Sequence, residues 1–308
     1  MSLVRVFAAL MVAVLLTACA AINLPPVSET PTNLQLSGKI VWYDLITDTP
    51  EASQRFYGEL FGWQYEEVGG RYGLGDDINY TLIRHKGRLI GGMINENKLQ
   101  RNEELSQWIV LMSVSNIQAA VVKVEAAGGV IYTPPTELAG RGWISVVADP
   151  QGAILALLES STGDPMDRKP RVGDFLWTEV WVNNVDAATD FYGSLAGYDS
   201  ETEVLDDDLN YRILGSKNKP RIGLVKNPIP EIDPVWVSYI RVADPAAIVA
   251  RVEELGGRVL IDTRDREVGG QVALIADPSG AVVAIQTWDP NKSLTDYKAV
   301  TATEEAQE

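Results

Sequence analysis

The chain has 308 residues, 46% of them hydrophobic, with one cysteine, one histidine and a formal net charge of −16 at pH 7. That length allows two hydrophobic cores. The acidic excess argues against a nucleic acid or an anionic lipid surface as electrostatic partner, and a single thiol excludes an internal disulfide.

Residues 1–18 read as an export signal. Arg5 is the only charge before an apolar run that is too short to span a bilayer. The run ends in Leu16-Thr17-Ala18-Cys19, which resembles the bacterial lipobox, where the cysteine is lipidated and becomes the new N-terminus. The alternative is an ordinary signal peptide with an incidental cysteine. Several acyl chains, at about 0.8 kcal/mol per buried methylene, would hold such a protein stably to a membrane. Ala20 stands where the inner-membrane retention signal would have Asp, so the resemblance implies an outer-membrane anchor with the body in the periplasm. Residues 19–37, rich in Pro, Thr and Asn, read as a tether.

The body follows in two stretches, 38–160 and 174–290, joined by a linker at 161–173 and followed by a loose tail at 291–308. In the first stretch, residues 40–45 form a β-rich run. Asp48-Thr49-Pro50-Glu51 then opens a helix with a capping side chain and Pro in its first turn. Ala52, Phe56, Tyr57 and Leu60 give that helix an apolar stripe, and Gly62 suits its end. Strands are expected at 63–68, 80–85 and 88–94. The plan repeats: a strand at 108–114, a helix from Asn116 to Gly128-Gly129, and strands at 130–132, 143–148 and 153–159. Asp149-Pro150-Gln151-Gly152 supplies the last tight turn. The second stretch has strands at 175–181, 210–214, 221–225, 235–242, 259–261, 271–276 and 281–287. Its helices start at Asn184 or Asp186 and at Asp244-Pro245.

The two stretches are copies. Phe56-Tyr57-Gly58 returns as Phe191-Tyr192-Gly193, Asn79-Tyr80 as Asn210-Tyr211, Gly128-Gly129 as Gly256-Gly257, and Asp149-Pro150-Gln151-Gly152 as Asp277-Pro278-Ser279-Gly280. The repeat is far longer than the roughly 20–50 residues of solenoid units, so it marks duplicated domains. Strand–helix–strand–strand–strand four times over, with Phe61-Gly62-Trp63 and the duplicated motifs, resembles the vicinal oxygen chelate superfamily of glyoxalases, bleomycin-resistance proteins and extradiol dioxygenases. Trp42-Tyr43-Asp44-Leu45 is closest to its tandem, glyoxalase-like branch. The resemblance implies an α+β fold: two tandem domains, each a pair of βαβββ modules forming a cupped mixed sheet around a cavity, packed as an intramolecular pseudo-dimer.

Metal-dependent members of that superfamily hold a divalent ion inside the cup, where it acts as a Lewis acid. Matched by position, the ligand sites fall at Trp42, Ile109 and Ala156, and at Trp177, Val237 and Ala284. None of these side chains offers a hard cation a lone pair, so neither metal nor other cofactor is expected. His85, between Arg84 and Lys86, reads as an exposed strand-end histidine. Asp44 and Glu179, two residues beyond Trp42 and Trp177, face the cavity by strand alternation. As buried carboxylates they are the candidates for a general base. The structural alternative is satisfaction by backbone N–H groups or by an arginine such as Arg84, Arg141 or Arg212. Trp42, Trp108, Trp177 and Trp236 are the candidate ligand-binding walls, since aromatic cups suit planar or apolar molecules. The expectation is a lipid-anchored, metal-free protein binding a small molecule or an envelope component. Two alternatives stay open: a glyoxalase- or dioxygenase-like lyase or oxidoreductase with an unconventional acid site, and a purely structural role.

Overall fold

A computed structural model of the chain describes residues 24–68, 80–95, 97, 106–205, 210–266 and 270–288. Cys19, the export signal and the tail beyond residue 290 lie outside them. The first domain starts with β1 (Ile40–Thr47), α1 (Pro50–Phe61), β2 (Trp63–Glu67), β3 (Tyr80–His85) and β4 (Arg88–Asn95). It continues with β5 (Gln107–Ser113), α2 (Ile117–Ala126), β6 (Val130–Ile131), β7 (Thr136–Leu138), β8 (Gly142–Ala148) and β9 (Ile154–Ser160). The second domain repeats this order. It has β10 (Phe175–Val182), α3 (Val185–Ala196), β11 (Ser200–Leu205), β12 (Asn210–Ser216) and β13 (Lys219–Lys226). Then come β14 (Val235–Arg241), α4 (Pro245–Val252), β15 (Arg258–Asp265), β16 (Gln271–Ala276) and β17 (Val282–Gln286). Both domains are thus α+β, two modules each.

The sheet of the first domain runs β2-β3-β4-β1-β5-β9-β8-β6, with β7 on β8; that of the second runs β11-β12-β13-β10-β14-β17-β16-β15. In each, the opening strands of the two modules, β1 with β5 and β10 with β14, lie antiparallel at the centre. Each opening strand also pairs in parallel with the closing strand of its own module, a pairing that requires a crossover, here made by the helix and the strands between them. The short β7 and the strand β11 had no counterpart among the expected elements.

Local chemistry fixes the helices. Asn116, Asn184 and Asp244 cap α2, α3 and α4 by accepting from the backbone N–H three residues on, at 2.7, 3.0 and 3.2 Å. Thr49 makes no such bond at the start of α1; instead Thr47 Oγ1 accepts from its N–H at 3.1 Å. Gly62 and Gly197 end α1 and α3 at φ 75° and 67°, where only glycine is unstrained.

The helices are also where the domains join. One core combines α2 and the back of β5, β8 and β9 with α3, β10 and Trp236. The other combines α1, Leu45, Trp63 and Trp108 with Ile240, Val252, Ile275 and Ile285. Each domain therefore covers the other's helix-bearing face, and the opposite face of each sheet gathers a separate cluster of its own. Tyr43 and Phe175 stack across the junction with ring centroids 3.7 Å apart, and the Tyr43 hydroxyl bonds Thr178 Oγ1 at 3.0 Å.

Residues 24–37 are not a free tether. Leu24, Val27 and Leu36 supply enough apolar surface, in an otherwise polar run, to hold the segment against the first domain. Thr32 and Asn33 donate backbone N–H bonds to Thr162 O at 2.9 and 3.0 Å. The linker is anchored too: buried Asp164 accepts from Leu36 N at 2.5 Å and from Ser113 Oγ at 2.6 Å.

Candidate functional site

Strand parity builds the two cups. In the first domain Trp42, Ile109, Leu111 and Ala156 line one continuous concave cluster. In the second, Trp177, Val237, Tyr239 and Ala284 do the same. All six positions where a metal-dependent relative would carry ligands thus point inward, and all six are indole or hydrocarbon. A register irregularity recurs at the same place in both central strands, between Ile40 and Trp42 and between Phe175 and Trp177. Beyond it the pairing is regular, and plain alternation sets Trp42 with Asp44, and Trp177 with Glu179, on the concave side.

The other two candidate tryptophans stand elsewhere. Trp108 and Trp236 each precede a cup-facing residue, Ile109 and Val237, and the period of two turns them to the opposite face. Trp108 donates to the Tyr57 hydroxyl at 2.9 Å within one interdomain core, and Trp236 packs in the other. They are core residues, not cup walls.

Inside the first cup Asp44, 7% exposed, accepts from Trp42 Nε1 at 2.9 Å and from the Tyr80 hydroxyl at 2.6 Å. Arg141 enters from the turn before β8, donates to Tyr80 Oη at 3.0 Å, and lays its guanidinium 4.4 Å from the centroid of the Trp42 ring. Burial pushes the Asp44 carboxyl above the usual range, against the pull of Arg141 and the two hydrogen bonds. Glycine makes the room: a Cβ at Gly92 would collide with the Tyr80 hydroxyl and the Asp44 carboxylate.

The second cup repeats the theme. Glu179, 1% exposed, accepts from the Tyr239 hydroxyl at 2.6 Å and pairs with Arg266, which enters from the turn after β15. Arg266 also donates to Gln286 Oε1 at 2.6 Å, and its guanidinium lies 4.7 Å from the Tyr239 ring centroid. Trp177 Nε1 donates to the Tyr211 hydroxyl at 2.9 Å. Here a cavity of about 210 Å³ opens between Trp181, Tyr211, Tyr239, Ile261 and Arg266. A larger hollow, about 480 Å³, lies outside the cups, beneath residues 27–32 and the linker.

These residues do not fit a divalent cation. The inward-facing ligand positions offer a metal no lone pair, each cup's carboxylate is already held by hydroxyl and indole groups, and a guanidinium sits beside it. Among the described residues no cluster of His, Cys, Asp or Glu could hold a metal ion. His85 is not exposed: it is 2% accessible, and its Nδ1 lies 2.5 Å from Oδ1 of Asp174, the first residue after the linker. Of the three arginines considered for the acids, Arg141 meets Asp44's network. Arg84 pairs with Glu29 and Glu66, and Arg212 with Asp186 and Glu201. Sequence reasoning missed Tyr80, Tyr211 and Arg266, although the duplicated Asn-Tyr pair was a signal for the tyrosines.

Comparison with known proteins follows the same outline. Residues 39–157 match the family model described as Glyoxalase/Bleomycin resistance protein/Dioxygenase superfamily, and residues 177–285 match one described as Glyoxalase-like domain. A putative glyoxylase, CFP32, of Mycobacterium tuberculosis is 26% identical over 246 residues, covering 79% of this chain and 92% of its own. The anthracycline biosynthesis protein DnrV of Streptomyces peucetius is 28% identical over 262 residues, covering 79% and 91%. Among solved structures, the Mn(II)-bound glyoxalase of Novosphingobium aromaticivorans aligns with a TM-score of 0.55 at 15% identity, over 82% of this chain and 83% of that one. The 2,3-dioxygenase LapB of Pseudomonas sp. KL28 aligns with a TM-score of 0.54 at 14% identity, over 84% and 96%.

Proposed function

We propose a function from one premise: this chain belongs to the glyoxalase/bleomycin resistance/dioxygenase superfamily, with one domain of that fold in each half. On our reading it is a metal-free binding protein whose second cup takes a small molecule. The observation that carries this is the replacement of every inward ligand position by Trp, Ile, Val or Ala, beside a guanidinium–carboxylate–tyrosine set. The cavity of about 210 Å³ is below the ~300–1,000 Å³ of drug-sized sites, which suits a single ring or a short chain. Tyr211, Tyr239 and Trp181 offer it aromatic faces, and Arg266 and the tyrosine hydroxyls offer hydrogen bonds.

Phenol, benzoate and benzamidine serve as neutral, anionic and cationic single-ring probes. At least one should raise the melting temperature and quench tryptophan fluorescence, and Tyr239→Phe with Trp181→Leu should abolish both effects. Elemental analysis of protein purified without chelator should find far less than one divalent ion per chain, and EDTA should leave the melting temperature unchanged. A stoichiometric ion would overturn this reading. It would favour the second one, a glyoxalase-like enzyme, to which the relatives' names and the raised Asp44 carboxyl lend support.

We also propose that the protein is a lipoprotein, attached to the outer membrane through Cys19 and facing the periplasm. The motif Leu16-Thr17-Ala18-Cys19 supports this. No helix among the described residues is long and apolar enough to cross a membrane. In detergent phase partitioning, Cys19→Ser should move the expressed protein from the detergent phase to the aqueous phase; unchanged partitioning would refute lipidation.

A further inference from the structure

The first cup differs from the second in what stands over its floor. Leu24 and Val27 are 4% and 3% exposed and join Trp42, Tyr80, Leu138 and Ile144 in one apolar cluster. Between them Pro25 presents its carbonyl to Arg141 Nε at 3.1 Å. Outside the cup Glu29 pairs with Arg84 at 2.7 Å. The segment uses the cup as a bound peptide would: two apolar side chains fill it, and one main-chain acceptor meets the guanidinium on its wall.

Two features separate this packing from that of a permanent core. Residues 24–27 lie outside every strand and helix. The fit also leaves Arg141 Nη2 buried without an acceptor, although the residue is only 1% exposed. Buried donors in a fixed core are almost always paired. The wall thus carries recognition capacity that its present occupant does not use.

We propose that residues 24–27 are a ligand carried in cis: the first cup recognises a short apolar, proline-containing peptide, and its own N-terminal strap occupies it. A molecule from solution enters this cup only when the strap withdraws, whatever the second cup binds. If Cys19 is the lipid anchor, four intervening residues separate it from the occupied cup, a reach of at most roughly 18 Å fully extended. Withdrawal of the strap and tension on the anchor would then be coupled.

The test uses the full chain with Leu24→Lys and Val27→Lys, which the apolar cup should expel because a buried cation there meets the Arg141 guanidinium instead of a free acceptor. The probe is a fluorescein-labelled synthetic peptide of residues 22–33, followed by fluorescence anisotropy. The folded double variant should bind it one to one, and a peptide carrying both substitutions should not bind. Wild type should bind about a hundredfold more weakly or less, because a tethered strap competes at an effective concentration on the order of millimolar. No binding to a folded double variant, or equal binding to both chains, overturns the proposal. Should the double variant fail to fold, hydrogen exchange on the wild-type chain decides. The strap amides should exchange well before those of β1 and β5, and equal protection would make the strap core and end the idea.

Discussion

Arg266→Met should destabilise the protein by about 3–5 kcal/mol, although Arg266 belongs to a turn rather than to a strand. Glu179 is 1% exposed at the centre of the second sheet, and its oxygens are met by Arg266 and by the Tyr239 hydroxyl. Taking away the guanidinium leaves a buried carboxylate with hydroxyl and indole donors only, and the penalty for an unpaired buried charge exceeds the worth of the pair itself. The double variant Arg266→Met with Glu179→Gln should recover most of the loss, because neutral groups of similar size replace both charges. Urea unfolding followed by tryptophan fluorescence measures both variants. If Arg266→Met costs under 1 kcal/mol, the pair is solvated and does not order the cup. A double variant as unstable as the single one would place the damage in packing instead. The second cup's binding of single-ring probes should fall in both variants, which separates stability from recognition.

That pair also shows where the sequence was legible and where it was not. Strand alternation around Trp42, Trp177, Ile109 and Val237 was readable because its period is two and its anchors, Phe-Tyr-Gly and Asp-Pro-x-Gly, recur in both copies. The inward face of Asp44 and Glu179 follows from the same count. Their partners follow only in part: Arg141 is one of three arginines the sequence offers, but nothing singles it out, and Arg266 is not among them, because both sit in turns that no register connects to the strands they serve. The strap was misread for a related reason: Leu24 and Val27 are isolated apolar residues in a Pro-rich stretch with no periodicity, and only the shape of the cup makes them a pair. Trp108 and Trp236 failed differently. Grouping tryptophans by type set aside the parity that had already assigned their neighbours to the cup. His85 was judged by flanking charges, whereas its burial is decided by Asp174, 89 positions away.

The duplicated Asp-Pro-x-Gly motif does more than turn the chain. Asp149, 2% exposed, accepts through Oδ1 from the N–H groups of Gln151, Gly152 and Ala153 at 2.8, 2.7 and 2.9 Å. Its Oδ2 accepts from the Tyr192 hydroxyl at 2.9 Å, and Tyr192 belongs to the Phe-Tyr-Gly motif of the other domain. Asp277 is used in the same way: Oδ1 holds its own turn, and Oδ2 accepts from Ser53 Oγ of α1 at 2.8 Å. Each domain's turn is thus stapled to the other's first helix, next to the interdomain cores. Asp149→Ala takes the acceptor from the Gln151 and Ala153 N–H groups and from a buried hydroxyl, while the Gly152 N–H keeps the Asp149 carbonyl at 3.0 Å; the cost is about 1–3 kcal/mol for each group left buried. The expected loss is about 3 kcal/mol or more, with both domains still melting in a single transition because their cores are shared. Two resolved transitions in calorimetry would show that the staple joins domains that are otherwise independent.

Asp149→Asn keeps an oxygen for the turn and should cost far less, with a pH signature of known sign. Burial raises the folded carboxyl of Asp149 above its unfolded value near ~3.9, outweighing the hydrogen bonds that favour the anion. The folded state therefore holds its proton more tightly than the unfolded one. Its contribution is greatest below the unfolded pKa and declines as pH rises through the folded pKa. Asparagine has no such decline. The deficit of Asp149→Asn relative to wild type should accordingly be larger at pH 4 than at pH 7, measured by urea unfolding at both. A deficit that grows toward pH 7 would mean that the anion, not the acid, is the form this staple stabilises.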